Sequence, residues 1–331
     1  MVYEYANRFA AKGERVFILY LNEELPVRKP VPAFIMRLLV NRLSKKSPNW
    51  FPLSPKVTSL SGLDGKAVSG LLHMDAIIAT AAETAVPVSH MKGSGKKYYF
   101  IQDYETFAMP EEELIGTYRL GLIPVTVSRW LKERVDRYSQ LKATVVSNPI
   151  DTDIYTIRKK PEERKRHTIG LLYHTSERKG LKYSFEAIEK LRELYPDLKV
   201  RMFGTSALKD LPEYITYTRS ATQEETVRIY NDVSVFMCSS LWEGFGLTGL
   251  EAMACGSALC TTDFEGSMEY AVHEENALVS PPCDVDAMVK NVSSLFENEK
   301  ERILLSYRGA ASAGMHNWEK AVQDFLYALH Y

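Results

Sequence analysis

The chain has 331 residues, 45% of them hydrophobic and 25% charged, and a formal net charge of −1. This is the balance of a folded protein with room for two domains, and it excludes both a disordered chain and one held to nucleic acid by bulk charge. No apolar run reaches the roughly 20 residues a membrane-crossing helix needs. "VYEYANRFAAKG" after Met1 lacks the basic start and apolar core of a secretory signal. Cys238, Cys255, Cys260 and Cys283 show no CxxC spacing, so they read as free thiols, and a cytoplasmic location is the expectation.

In chain order, an amphipathic helix over Val2 to Lys12 feeds the strand "RVFILYL" (Arg15–Leu21). A doubly wound domain ordinarily opens on a strand, so the first strand of the N-terminal domain reads as missing. From Leu25 to Leu63 there is no acid, while Arg28, Lys29, Arg37, Arg42, Lys45, Lys46 and Lys56 all fall inside. That run is either a core-packed helix with solvated basic residues or, over residues 28–56, a peripheral surface for anionic membrane or an anionic acceptor. Strands follow at "DAIIAT", "KYYFIQ" and "PVTVS", and helices at "PEEELIGTYRLG" and "SRWLKERVDRYSQ", the second with Ser128 as its expected cap. The second half predicts strands at "TIGLLYH", "KVRMFG", "YITYT", "VSVFMCSS", "ALCTT" and "ALVSPP", separated by helices. This alternation predicts an α/β protein of two facing, doubly wound Rossmann-like domains. The expected units are an N-terminal domain over 1–148, a polar linker over 149–167, a C-terminal domain over 168–315 and a final helix over 316–331 that crosses back. The linker is the expected hinge of a cleft at the strands' carboxyl ends.

One segment carries the chemistry. "SSLWEGFGLTGLEAMACG" (Ser239 to Gly256) reads as strand end, glycine turn and buried helix. Such a unit points unpaired N–H groups and the positive end of a helix dipole outward, a seat for phosphate. Glu243 lies on the turn and Glu251 just over one turn inside the helix, so the two bracket that seat. Carboxylates there repel bare phosphate. They fit neutral hydroxyls flanking a diphosphate, which describes a nucleotide sugar.

"WEGFGLTGLEAMACGSALCTTDFEGSMEYAVHEENALVSPP" resembles the C-terminal domain of family-4 retaining glycosyltransferases of the GT-B fold. The likeness extends through "ERKG", "FEAIEKL" and "NWEKAVQDFLYAL", and covers most of residues 165 to 331. "YEYANRFAAKGERV" and "SNPIDTDIY" are more weakly similar, and "YYFIQDYE" looks like the bacterial branch that includes rhamnosyltransferases. The resemblance implies that Glu243 meets the transferred sugar and Glu251 the ribose. The amides of the Gly244–Phe245–Gly246–Leu247–Thr248 turn would face the diphosphate, with Lys179 neutralising it. His174 stands where the family has an arginine, with Arg178 or Arg219 as replacement cations; Gly204 completes the donor side. Gln102-Asp103 replaces a histidine common among relatives, so Asp103 is either an acceptor-side group or a turn aspartate capping "YETF".

"DTD" (Asp151–Asp153) lies in the linker rather than at a strand end, and the histidines show no paired ligand spacing, so no metal or other cofactor is expected. The resemblance implies front-face transfer from a nucleotide-diphosphate sugar to a glycan or glycoconjugate, as in polysaccharide biosynthesis, with the donor phosphate taking the acceptor's proton. The rivals are a phosphorylase or epimerase on the same seat, and a catalytically inactive nucleotide-sugar or carbohydrate-binding subunit.

Overall fold

The computed structural model describes residues 1–21, 51–62 and 70–330, with Ile35, Leu38 and Arg42 between them. Most of the basic run therefore lies outside the described residues; Ile35, Leu38 and Arg42 are exposed helical positions.

Helix α1 (Val2–Ala11) buries Tyr5, Ala6, Phe9 and Ala10, one stripe at helical spacing. Strand β1 (Phe17–Tyr20) pairs in parallel with β2 (Thr58–Ser61). A separate four-stranded parallel sheet runs in the order β3 (Ala76–Ala79), β4 (Lys96–Ile101), β5 (Ile123–Thr126), β6 (Thr144–Val145). Its crossover helices are α2 (Ala82–His90), α3 (Glu111–Tyr118) and α4 (Arg129–Val135). In β4, Tyr98, Tyr99, Phe100 and Ile101 are all buried, the continuous apolar run expected of a parallel strand covered on both faces.

The second half holds a six-stranded parallel sheet of β7 (Thr168–Tyr173), β8 (Lys199–Gly204), β9 (Ile215–Arg219), β10 (Val235–Cys238), β11 (Ala258–Thr262) and β12 (Leu278–Ser280). Helices α5 (Leu181–Leu194), α6 (Gln223–Asp232), α7 (Leu247–Ala254), α8 (Val285–Glu297) and α9 (Glu299–Gly314) complete it. The strand order is β12-β11-β10-β7-β8-β9. The chain thus leaves β7 toward one edge and returns beside it at β10, and the loops after these two strands diverge. That switch point is where open α/β sheets leave a crevice for ligands.

The last helix, α10 (Trp318–His330), returns to the first half. Phe325 packs edge-on against Phe100 at 4.9 Å and lies 5.0 Å from Tyr5, and the Tyr98 hydroxyl donates to the Leu329 carbonyl at 2.6 Å. The charged segment between the sheets is tied down rather than loose. Arg164 is buried and donates to the carbonyls of Lys159, Tyr230, Val233 and Cys255. Asn231 accepts the amides of Arg158 and Lys159 on the same side. Its charge serves attachment to the second sheet.

Ser128 stands at the N-cap of α4, but the expected capping bond is absent: its hydroxyl is buried without a partner. The carboxylate of Glu269, from the other half of the chain, accepts the Arg129 amide at 2.6 Å instead. A charged acceptor bonds an N–H more strongly than a hydroxyl does, and it also meets the helix dipole. Glu269→Ala is expected to lower the melting temperature by about 2–4 °C per kcal/mol lost, with about 1–2 kcal/mol at stake. Ser128→Ala should leave it unchanged or slightly higher; a drop with Ser128→Ala alone would restore the serine as the cap.

Candidate active site

The site is assembled from the loops after β7 and β10. Gly180 follows the turn Glu177–Lys179 with φ +57°, and a Cβ there would stand 2.0 Å from the Ser239 carbonyl oxygen. Only glycine lets the two loops approach so closely. The seam is stitched by Leu241 N–H to Arg178 O at 2.7 Å and by the Ser239 hydroxyl to Lys179 O at 3.1 Å. This places Lys179 Nζ 2.6 Å from Glu243 Oε2, both side chains mostly covered. The Ser240 hydroxyl donates to the other oxygen, Glu243 Oε1.

Beside this pair α7 begins. Gly246 holds φ +84°, a value L side chains rarely adopt, and a Cβ there would meet the Phe264 ring at 2.4 Å. No side chain caps the helix, so the first-turn amides of Leu247 and Thr248 follow a turn with no side-chain acceptor. The Tyr270 hydroxyl fixes the turn by donating to Gly246 O at 2.7 Å. A mostly covered ammonium and the uncapped start of an apolar helix are thus side by side at the switch point. That arrangement is suited to a doubly charged phosphate group.

Glu251, half-buried on α7, accepts the Tyr230 hydroxyl at 2.9 Å. Burial pushes its carboxyl up to about 7, against the pull of the nearby Tyr230 and Tyr155 hydroxyls. His174, exposed just after β7, accepts the Ser176 amide at 3.0 Å. Partial burial, then Lys179 and Arg178, hold its imidazole below the usual range, so it adds no charge near neutrality.

Arg178 and Asp103 come together across the two halves, Nη1 to Oδ2 at 2.5 Å, with Arg178 also stacked over Phe107 at 4.8 Å. Asp103 Oδ1 takes the Tyr104 amide at 2.8 Å. In this arrangement the arginine neutralises a carboxylate of the first half. Gly204 pairs with Tyr173, where a Cβ would stand 2.3 Å from the Tyr173 oxygen, so its place is a packing position between β7 and β8. Arg219 is exposed at the end of β9, two strands or roughly 10 Å from β7, and donates to Thr205 O.

The two halves touch at this point. A Cβ on Gly244 would be 2.1 Å from Gln102 O, and Trp130 Nε1 donates to Gly244 O at 3.2 Å. The cavity bounded by Lys179, Glu243, Ser240, Cys238 and Thr248 measures about 20 Å³, room for one water. Small-molecule sites ordinarily run to about 300–1,000 Å³. In this arrangement the cavity is too small to hold a ligand of that size. Ser240, Tyr155, Tyr230 and Glu269 escaped the sequence reading, because each acts through a tertiary contact.

Residues 153–311 match the model of the family described as "Glycosyl transferases group 1". Among particular proteins, the O-antigen biosynthesis protein RfbC of Myxococcus xanthus is 25% identical over 265 residues, 77% of this chain and 20% of that protein. The D-inositol 3-phosphate glycosyltransferase of Corynebacterium urealyticum is 25% identical over 48% of this chain and 41% of its own length. The chain thus spans less than half of either relative. Anabaena HepE in complex with UDP-glucose superposes with a TM-score of 0.75 at 13% identity, over 99% of this chain and 95% of that one. Sucrose-phosphate synthase of Thermosynechococcus elongatus gives 0.75 at 14% identity, over 98% and 91%. The fold is the GT-B architecture.

Proposed function

We propose that the chain is a retaining glycosyltransferase that moves a sugar from a nucleotide-diphosphate sugar to a glycan or glycoconjugate. One observation carries this: the Lys179–Glu243 pair set against the uncapped start of α7. Lys179 and the turn amides meet the diphosphate, and Glu243, released from Lys179 as the phosphate arrives, accepts the hydroxyls of the transferred sugar. As the glycosidic bond breaks, charge grows on the leaving phosphate beside fixed donors, so their stabilisation rises at the transition state. The acceptor oxygen bonds the anomeric carbon on the face the phosphate leaves, which keeps the configuration, and the departing phosphate takes the acceptor's proton. Because protein groups supply the positive charge, activity should survive EDTA. The family match and the likeness to an O-antigen biosynthesis protein support a polysaccharide acceptor, and the UDP-glucose in HepE supports the donor class. Residues 28–56 are the proposed contact with an anionic membrane; among the described residues no helix is long and apolar enough to cross one.

The test is a thermal-shift panel of nucleoside diphosphates and their sugars, followed by assay of free nucleotide released by slow hydrolysis. Stabilisation with turnover is expected, and Glu243→Ala should remove both the turnover and the extra stabilisation given by the sugar. Stabilisation without turnover would replace the enzyme by an inactive binding subunit; no stabilisation by any of them would end the reading.

A further inference from the structure

The turn Glu177–Lys179 after β7 carries two cations in a row, and each holds a carboxylate from a different half of the chain. Lys179 reaches Glu243 of the second half at 2.6 Å, and Arg178 reaches Asp103 of the first, Nη1 to Oδ2 at 2.5 Å. The side chains of Arg178 and Asp103 are only 20% and 17% exposed, so salt screens this pair less than a surface one. Both partners are fixed from behind. Asp103 Oδ1 accepts the Tyr104 amide at 2.8 Å, and the Arg178 guanidinium lies 4.8 Å over the Phe107 ring of the same first-half loop. The Arg178 carbonyl accepts the Leu241 amide at 2.7 Å, and the next carbonyl, that of Lys179, accepts the Ser239 hydroxyl at 3.1 Å. One residue thus joins the loops after β4, β7 and β10. Two further fastenings lie nearby, Trp130 Nε1 to Gly244 O at 3.2 Å and the Arg129 amide to Glu269 at 2.6 Å. Those hold the loops after β10 and β11, whereas Arg178–Asp103 holds the turn that carries Lys179.

We propose that Asp103 and Arg178 are positioning residues, a latch across the two halves that sets where the Lys179 ammonium stands. The role of Lys179 rests on the nucleotide-sugar reading above, while the latch itself rests on the contacts alone. A planar guanidinium held by a carboxylate at its edge and a ring on its face has its orientation fixed. Any shift of Arg178 passes into the next peptide, because the Arg178 and Lys179 carbonyls together form the seam with the loop after β10. Arg178 is therefore a joint between the halves rather than a second phosphate cation, and Lys179 is the one that faces the phosphate. Asp103 acts through Arg178, since each of its oxygens already holds a donor. The placement of a positive charge in the second half thus depends on a carboxylate of the first. The ammonium meets the leaving diphosphate correctly only while the halves are joined.

The experiment follows nucleoside diphosphate released by slow hydrolysis of UDP-glucose, or of the nucleotide sugar that the panel above selects, so no acceptor is needed. Asp103→Asn and Arg178→Gln should each lower the rate by about tenfold to a hundredfold, the cost of misplacing a catalytic group by about 1 Å. The two together should lose no more than the larger single loss, because either change opens the same latch. In the Asp103→Asn chain, Lys179→Met should then cost less than about tenfold, against about 10²–10³-fold in the unaltered chain. A ligand-free readout runs beside it. Asp103→Arg sets two guanidinium groups against each other, and small-angle scattering should show a larger radius of gyration than for the unaltered chain. Circular dichroism checks that each chain is folded, and Asp103→Asn, which keeps size and shape, decides the matter if Asp103→Arg is not. Full hydrolysis by Asp103→Asn, or additive losses from Asp103→Asn and Lys179→Met, would overturn the proposal and leave the functional reading standing. An unchanged radius of gyration in a folded Asp103→Arg chain would overturn it whether or not any nucleotide sugar is hydrolysed. Should the unaltered chain hydrolyse none of them, the functional reading falls and the role of Lys179 with it, and scattering alone judges the latch.

Discussion

Replacing Lys179 by methionine is expected to cut the rate of sugar transfer by about 10²–10³-fold, the usual cost of removing one preorganised charge from a developing oxyanion. Methionine keeps most of the side chain's volume, so the seam at Gly180 and Ser239 should hold. Since the growing charge on the leaving diphosphate is felt in the transition state, the loss should fall mainly on kcat. Glu243→Gln separates two roles of the same pair. Glu243 occupies Lys179 at 2.6 Å, so a diphosphate must displace a carboxylate before it meets the ammonium. Glutamine frees Lys179, and the affinity for the bare nucleoside diphosphate should rise while turnover of the nucleotide sugar falls. Calorimetry with the diphosphate and steady-state assays with the sugar nucleotide read the two effects. If Glu243→Gln weakens the bare nucleotide as well, Lys179 is a partner of Glu243 and not of phosphate.

The contrast between the two halves shows which parts of the site the sequence carries. Glu243, the Gly246 turn and Glu251 lie within nine consecutive residues, between a buried strand and an apolar helix, so local pattern alone places them. Lys179 was reached through the resemblance of "ERKG" to the family, and the left-handed Gly180 that follows it is a finding of the structure. The partners of these residues were not legible, because each comes from a distant element. Ser240 bonds Glu243 only through the bend of the loop, and Tyr230 reaches Glu251 from α6. Glu269 caps α4 from 140 residues away, which displaced the cap expected of Ser128. Arg178 and Asp103 were both singled out, but for separate ligands; that they meet each other depends on how the two halves close. Periodicity fixes elements and their faces, whereas contacts between halves depend on a geometry that no local window contains.

Arg164→Met should be among the most destabilising single substitutions in the second half, at about 3–5 kcal/mol. The sequence "RKKPEERKRH" reads as a solvated linker, and by composition its arginines belong at the surface. Arg164 is instead 4% exposed and makes five hydrogen bonds to four carbonyls, the shortest to Cys255 O at 2.6 Å. Among the described residues no carboxylate pairs with it, and burial lowers its guanidinium to about 10. The group therefore stays charged near neutrality, its charge spread over carbonyl dipoles from the ends of α6 and α7. Methionine fills the space but leaves those carbonyls without donors, and a buried acceptor left unmade costs its desolvation in full. Arg164→Lys keeps the charge with a single point of donation, so it should recover only part of the loss. Thermal unfolding of the three chains reads the order directly. Lys159, Tyr230 and Cys255 all converge on this one side chain, and Tyr230 is also the partner of Glu251. The methionine variant should therefore also weaken nucleotide binding at temperatures well below its melting point. Full affinity in a destabilised Arg164→Met chain would show that the tether and the site are independent.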